Sequence, residues 1–377
     1  KQVAPNTGSL SSTPGNSPLH WSADVTLNRG RLGHELLPQP VTELAADISA
    51  DSEKLIVKQL TGKVGAAEFA LACNRQGWAT NAPLGLAGRI QDLAVNADLQ
   101  AALPARLEQL WQRFQPNGIV DADVRLTFDG HQWRPELTAH CRGLSLTDAK
   151  EFPYPIEQTT GTVSLRSSPT TGATQLQLDL VGLGDGRPIH IAAQLDHLAV
   201  PKIPVGANGG AGAIAFGDAA VEESRVQLAS AATPIDAPPK PTGWVEISGE
   251  GISIHEQLLA AIPPQQQPFV RSLRPQGLVD FRWRYERTDP YAPRGDKLLE
   301  LRLTDCAVQY ERFPYPLEQI RGLVTGRNGH YTLTDLVGRD RQGSAEVTCQ
   351  GESDSSDAGL ALALMFRGTN VPLDDNL

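Results

Sequence analysis

The chain is poor in most of what usually carries chemistry. Its 377 residues include one methionine, four cysteines and eight histidines, and aromatics make up 6%. The histidines are scattered, with no HxH, HExxH or His/Cys cluster at ligand spacing, so the common zinc patterns are absent. His140 and Cys141 are neighbours, but strand alternation sends them to opposite faces. There is no GxSxG, and no Walker or Rossmann glycine pattern. Gly182-Leu183-Gly184-Asp185-Gly186 lies between strand-like runs with no helix following, which reads as a hairpin loop rather than a phosphate cradle. Without a convergent set of titratable groups, the expectation is a protein that is not an enzyme and uses no metal or cofactor.

Other absences narrow the class further. Basic residues number 33 against 43 acidic, and no Lys/Arg cluster interleaves with aromatics, which argues against a nucleic-acid partner. No apolar run reaches the roughly 18–20 residues needed to span a bilayer, and no signal-peptide pattern opens the chain. It begins at Lys1 rather than Met, which reads as a piece of something longer. Cys73, Cys141, Cys306 and Cys349 fit neither a CxxC site nor a dense disulfide framework. They allow three pairings, and lone buried thiols are the simplest reading.

What the chain does have is repetition. Phe152-Pro153-Tyr154-Pro155-Ile156-Glu157-Gln158 returns as Phe313-Pro314-Tyr315-Pro316-Leu317-Glu318-Gln319, and a fainter copy starts at Leu37-Pro38-Gln39-Pro40-Val41. The prolines fix φ and favour extended neighbours, so each copy reads as a stiff connector that ends one strand before the next begins. The glycines Gly88, Gly249 and Gly368 recur at 161 and 119 positions and the helix stops Gly118 and Gly277 at 159. A unit of about 115–119 residues, lengthened once by a Gly/Ala/Pro-rich insertion of 42 at 201–242, accounts for them all.

Hydrophobic residues make up 40%, enough for a core. Most segments alternate apolar and polar, which predicts strands wet on one side. Helical spacing over Asp98 to Phe114, and a proline-broken stretch from His255 to Leu273, predict about one helix per unit. The fold expected is mostly β with a few short helices: a repeat array of antiparallel strands forming a curved, groove-like sheet. Residues 1–19 form a loose end and 20–75 the C-terminal part of a truncated repeat. Residues 76–200 form a unit, 201–242 a linker or mobile insertion, 243–352 a second unit, and 353–377 the start of another. Asp123 and Asp280 read as equivalent, solvated outer-face residues.

One helix, about 10 Å wide, cannot cover six strands spaced about 4.8 Å apart. The remaining apolar face must meet a second sheet, close into a barrel, or stay available to a greasy ligand. Here the sequence resembles the AsmA-like family, including its TamB and YhdP branches. The resemblance rests on Tyr154 to Val163 and Tyr315 to Val324, on Leu176 to Gly182 and Leu333 to Gly338, and on Gly368 to Asp374. It covers most of 20–377 outside the insertion. It implies a periplasmic protein, held to the inner membrane by an anchor outside this segment, that carries phospholipid or another acyl-chain lipid along a β-sheet groove toward the outer membrane. Carried onto this chain, the groove would be lined by Val124, Leu126, Phe128, Leu176, Leu178, Leu180, Phe281, Trp283, Leu299, Leu301, Leu303, Leu360, Leu362 and Leu364. The alternative is a closed β-sandwich array of a surface adhesion or interaction protein, in which the same residues form an ordinary core. Alternation does not separate the two.

Overall fold

The structure, a computed structural model, describes residues 20–33, 39–101, 105–148, 152–168, 173–198, 240–311, 313–356 and 359–371. They build one open antiparallel sheet of 17 strands with four short helices. The strands begin with β1 (Ser22–Leu32), β2 (Val41–Asp51), β3 (Lys54–Val64), β4 (Ala67–Gln76) and β5 (Leu84–Val95). There follow α1 (Ala97–Ala101), α2 (Ala105–Phe114), β6 (Asn117–Phe128), β7 (Trp133–Asp148), β8 (Phe152–Ser167), β9 (Thr174–Gly184) and β10 (Arg187–Leu198). The rest is β11 (Thr242–Ser253), α3 (Glu256–Ala261), α4 (Gln267–Ser272), β12 (Gln276–Arg287), β13 (Asp296–Tyr310), β14 (Phe313–Arg327), β15 (His330–Arg339), β16 (Glu346–Ser356) and β17 (Gly359–Thr369).

Each strand pairs with its neighbour in the chain, so the sheet is a meander. Short turns make this possible. Asp185-Gly186 and Asn328-Gly329 both hold two successive positive φ values, the geometry that matches strand twist in a two-residue hairpin. β10 and β11 also pair directly, with Ile191 opposite Ile247, although residues 199–241 separate them in sequence. Apart from residues 240 and 241 and the first residue of β11, the 201–242 insertion lies outside the described residues, as do 1–19.

Two expectations need correction. Phe-Pro-Tyr-Pro is the opening of a strand rather than a connector: β8 starts at Phe152 and β14 at Phe313. Pro153 and Pro155 are tolerated because the recorded β8–β9 ladder begins only at Glu157, so no ladder donor is lost on that side. Nor is there one helix per repeat, since the helices come in two short pairs. Pro104 lies between α1 and α2 in sequence, and Pro263 and Pro264 lie between α3 and α4; an internal proline removes a helical donor and clashes with the preceding turn.

The backbone repeats more clearly than the side chains do. Glu43, Gln158 and Gln319 occupy the same place in the three Pro-x-Pro copies, and all three are left-handed, with φ of 51°, 50° and 52°. Each sits at a register shift two or three residues into its strand ladder. A second series, Asp92, Gly251 and Asn370, has φ of 54°, 61° and 56°. All but Asn370, which follows the last residue of β17, sit at β-bulges, which insert one residue, switch which sequence positions face the core and sharpen the twist.

The two edges of the sheet differ. At one edge lie both helix pairs and the Phe-Pro-Tyr-Pro strand starts, around the most buried side chains: Tyr154, Ile156, Ile189 and Ile252, each at most 2% exposed. A flat sheet would separate β8 from β12 by about 19 Å at about 4.8 Å per strand. Instead the rings of Phe152 and Phe281 meet at 5.6 Å, so the strands bend toward one another at this edge.

A left-handed L-residue costs about 1–2 kcal/mol relative to an ordinary conformation. Gln158→Gly should therefore leave the urea midpoint unchanged or raise it. Gln158→Val should lower stability by about 1–2 kcal/mol, since a β-branched side chain suits positive φ least.

Candidate functional site

Residues opposite each other in a ladder share a face, so register shows which side chains lie together. One row runs Leu27, Ala46, Leu60, Leu71, Gly88, Val124, Leu137, Leu165, Leu176 and Leu195 across ten successive strands. Another runs Leu180, Ile191, Ile247, Trp283, Leu299, Gly326, Tyr331, Ser353 and Leu362 across β9 to β17. Phe281, Leu301, Val324, Leu333, Gly351 and Leu364 form a third.

By this register all fourteen expected lining residues fall on one face. Phe128, Leu180 and Phe281 are buried and Leu362 is 42% exposed. The other ten, from Val124 and Leu126 to Leu360 and Leu364, are half-buried. All the described strands belong to one sheet, so no separate second sheet covers these side chains, although Phe281 meets the Phe152 ring of β8 where the sheet bends.

The closed edge was read too lightly in the sequence. Tyr154, within a stretch that reads as a connector, is 1% exposed and central to the main core cluster. Glycines make room for it: a Cβ at Gly184 would stand 2.4 Å from Tyr154 Cε1, and one at Gly182 2.5 Å from Ile156 Cγ2. The helices cap this edge through Leu99, Trp111, Leu258 and Ala261, which join the same cluster. Arg113 of α2 holds Asp148 with hydrogen bonds of 2.6–3.2 Å, whereas Gln266, between α3 and α4, reaches over the apolar face and donates at 2.9 Å to Tyr331 Oη near the opposite end of β15. The Tyr154 hydroxyl is buried with no acceptor, and burial, then the Asp185 carboxylate, pushes its pKa up.

The opposite face is polar and knitted by cross-strand ion pairs, including Lys63–Glu68, Arg89–Asp123 and Arg339–Glu346. Glu246 is pushed up by burial, but the guanidinium groups of Arg282 and Arg284 outweigh this and hold it below its usual value. The counterpart of Asp280 is Asp121 rather than Asp123. Asp280 accepts the Gly251 N–H at 2.7 Å and Asp121 accepts that of Asp92 at 2.8 Å, so each satisfies a bulge. Two defined concavities lie off the apolar face: one of about 520 Å³ on the polar face over β12–β15, the other of about 420 Å³ between the first helix pair and β6. Arg282, Arg284 and Arg327 line the first, and each is already matched by a carboxylate.

The chemistry of the described residues is sparse. No group of three or more His, Cys, Asp or Glu could hold a metal ion, and no helix is long and apolar enough to cross a membrane. All four cysteines are free. Burial raises each thiol's pKa, keeping it in its unreactive form.

Two outcomes are expected. Tyr154→Phe should be neutral or stabilising in urea unfolding, because it removes an unpartnered buried hydroxyl, whereas Tyr154→Ala should cost about 3–5 kcal/mol. On the polar face the hydrogen bond to Asp354, at 2.7 Å, and its charge raise the His330 pKa. The pair therefore stabilises the β15–β16 hairpin below the ordinary imidazole pKa, and its contribution is lost as pH rises through the raised value. NMR titration should show His330 titrating higher in the native chain than in the Asp354→Asn variant. Comparison of the chain with protein-family models, curated proteins and solved structures returned no match.

Proposed function

We propose that this chain binds acyl-chain lipid, phospholipid foremost, on the apolar face of its sheet and passes it along the strand order without doing chemistry. In this reading the sheet is a curved, groove-like repeat array, with fatty tails against the leucine rows and headgroups toward water. The observation that carries the proposal is the continuous apolar face, partly uncovered along its length and facing no second sheet. Soluble proteins seldom leave such a surface open unless something binds there. The resemblance to AsmA-like proteins supplies the setting we propose: a bacterial envelope protein, periplasmic and anchored at the inner membrane.

The one-sheet architecture favours this reading over a sandwich array of an adhesion protein, whose leucines would meet a facing layer. Native mass spectrometry of the 377-residue chain, purified from bacteria, tests it. The expected result is co-purified phospholipid, reduced about tenfold by Leu178→Gln with Leu362→Glu, the ratio that about 1.4 kcal/mol of lost contact yields. Thr325→Glu, on the polar face opposite Glu300, should leave the lipid in place. A lipid-free native chain that takes up no lipid from vesicles would overturn the proposal.

A further inference from the structure

The two helix pairs hold the sheet differently. The described contacts of the first pair stay at the capped edge: Arg113 bonds Asp148, where β7 ends, and Asp98 accepts a hydrogen bond from Gln39, just before β2. The second pair leaves that edge and crosses the apolar face. Gln266, in the turn between α3 and α4, donates to Tyr331 Oη at 2.9 Å. Tyr331 lies opposite Gly326, in the apolar row that runs through Leu299. It stands eight residues (339 − 331) from Arg339, which pairs with Glu318 at the capped end of β15, roughly 27 Å of strand at about 3.4 Å per residue. The tip of this helix pair therefore meets the far side of the face, not the edge from which it springs.

The pair is a braced hairpin on a fixed stalk. Leu258 and Ala261 of α3 join the core cluster, and the Ile254 N–H bonds the Gly277 carbonyl at 2.9 Å. On the other leg, the carbonyls of Leu273 and Ser272 accept the N–H groups of Gln309 on β13 and Glu311 just past it. Arg271 of α4 bonds the Glu256 carboxylate of α3, which ties the legs together. Gln267 Nε2 donates to the carbonyl oxygens of Ala260 and Ile262 at 3.1 and 2.7 Å, and Pro263, Pro264 and Pro268 fix φ around the turn, so the tip is stiff. Beyond the stalk the grip is light. Phe269 meets the Tyr310 ring edge-on, with centroids 6.5 Å apart, but no residue of α4 is buried. Neither helix has a side-chain bond at its N-cap, and each is six residues long, too short to persist without tertiary packing. Elements that open are drawn from such low-stability segments. Tyr331 is placed to receive the tip: a Cβ at Gly326 would stand 2.5 Å from Tyr331 Cδ1, so the glycine lets the ring lie over β14.

We infer that α3–α4 is a strap across the apolar face and that the Gln266–Tyr331 hydrogen bond is its latch. With the latch made, the strap roofs the face over β13 and β14. With it broken, the hairpin lifts on its stalk and the rows through Leu299 and Leu301 lie open. One neutral hydrogen bond contributes little net of water, so the latch opens thermally. Acyl chains moving along the strand order pass this point only while the strap is lifted. The inference rests on the lipid-binding reading and adds a gate in that path, at the second helix pair.

Hydrogen exchange tests the latch. Tyr331→Phe and Gln266→Ala should each speed amide exchange across 262–270 about fivefold, the size expected for one neutral hydrogen bond. The double variant should exchange no faster than either single one, and β12–β15 should exchange as in the native chain. Single variants that match the native chain across 262–270 overturn the latch. Cross-linking tests the gate. Gln266→Cys and Tyr331→Cys are joined by a short bismaleimide in a chain that also carries Cys73→Ser and Cys349→Ser, whose thiols are only half-buried. Benzoylphenylalanine placed at Leu301, on a row the strap crosses, or at Leu178 on β9, away from it, then captures dioleoylphosphatidylcholine from vesicles, and mass spectrometry counts the adducts. Locking should lower the Leu301 adduct at least about tenfold and leave the Leu178 adduct unchanged. A locked chain that keeps its Leu301 adduct overturns the gate and leaves lipid binding standing. An unlocked chain that forms no adduct at either position overturns the lipid reading and the gate with it.

Discussion

Everything in this sheet depends on apolar side chains staying on one face while the chain reverses direction sixteen times. Side chains alternate with a period of two, so a one-residue slip in any ladder would send the rest of that strand's leucines into water. The bulges are what reconcile the alternation with the bend. In β8 the apolar face carries Tyr154 and Ile156, then after Gln158 it carries Thr159, Gly161 and Val163. In β14 Tyr315 and Leu317 give way after Gln319 to Ile320, Gly322 and Val324. The sequence changes phase, but the face does not.

That phase change explains which parts of the fold could be read from the sequence. Clean runs such as Leu176-Gln177-Leu178-Asp179-Leu180 contain no bulge and declare both strand and face. The long strands β8 and β14 each contain a phase shift, so their first halves read as a connector and only their second halves as strand, with Phe-Pro-Tyr-Pro as the joint. That the fourteen expected residues share one face was legible because they sit in unbroken stretches. Tyr154, Ile156 and Ile252 lie beyond bulges, where alternation restarts on the other parity, and so the densest part of the core went unread. The Asp121–Asp280 correspondence was hidden for the same reason: each aspartate answers a bulge on the preceding strand. Pairing of β10 with β11 across residues 199–241 has no local signal at all.

The two edges divide the work of folding and exposure. At the capped edge, rings, isoleucines and short helices exclude water, and glycines such as Gly182 and Gly184 let large side chains lie flat over the next strand. Arg113 and Asp148 show how a charge survives there, through three hydrogen bonds at a part-buried site. At the open rim the same face reaches solvent. The polar face pairs its charges across strands, at exposed positions where each pair contributes little stability but keeps that side wet.

A magnitude shows why a half-covered face is informative. Fully burying a leucine-sized side chain is worth roughly 1.5–3 kcal/mol, so one left about a fifth exposed forgoes about 0.5 kcal/mol. Ten such partly exposed residues on one face forgo on the order of 5 kcal/mol, the lower end of the stability of a typical domain. A chain selected for stability alone would recover that energy with a second layer, as sandwiches do. Each lipid methylene laid against the same leucines is worth about 0.8 kcal/mol. The energy the polypeptide leaves unused is therefore of the size that a fatty chain supplies, and a ligand so held can slide between equivalent rows without breaking any directional bond.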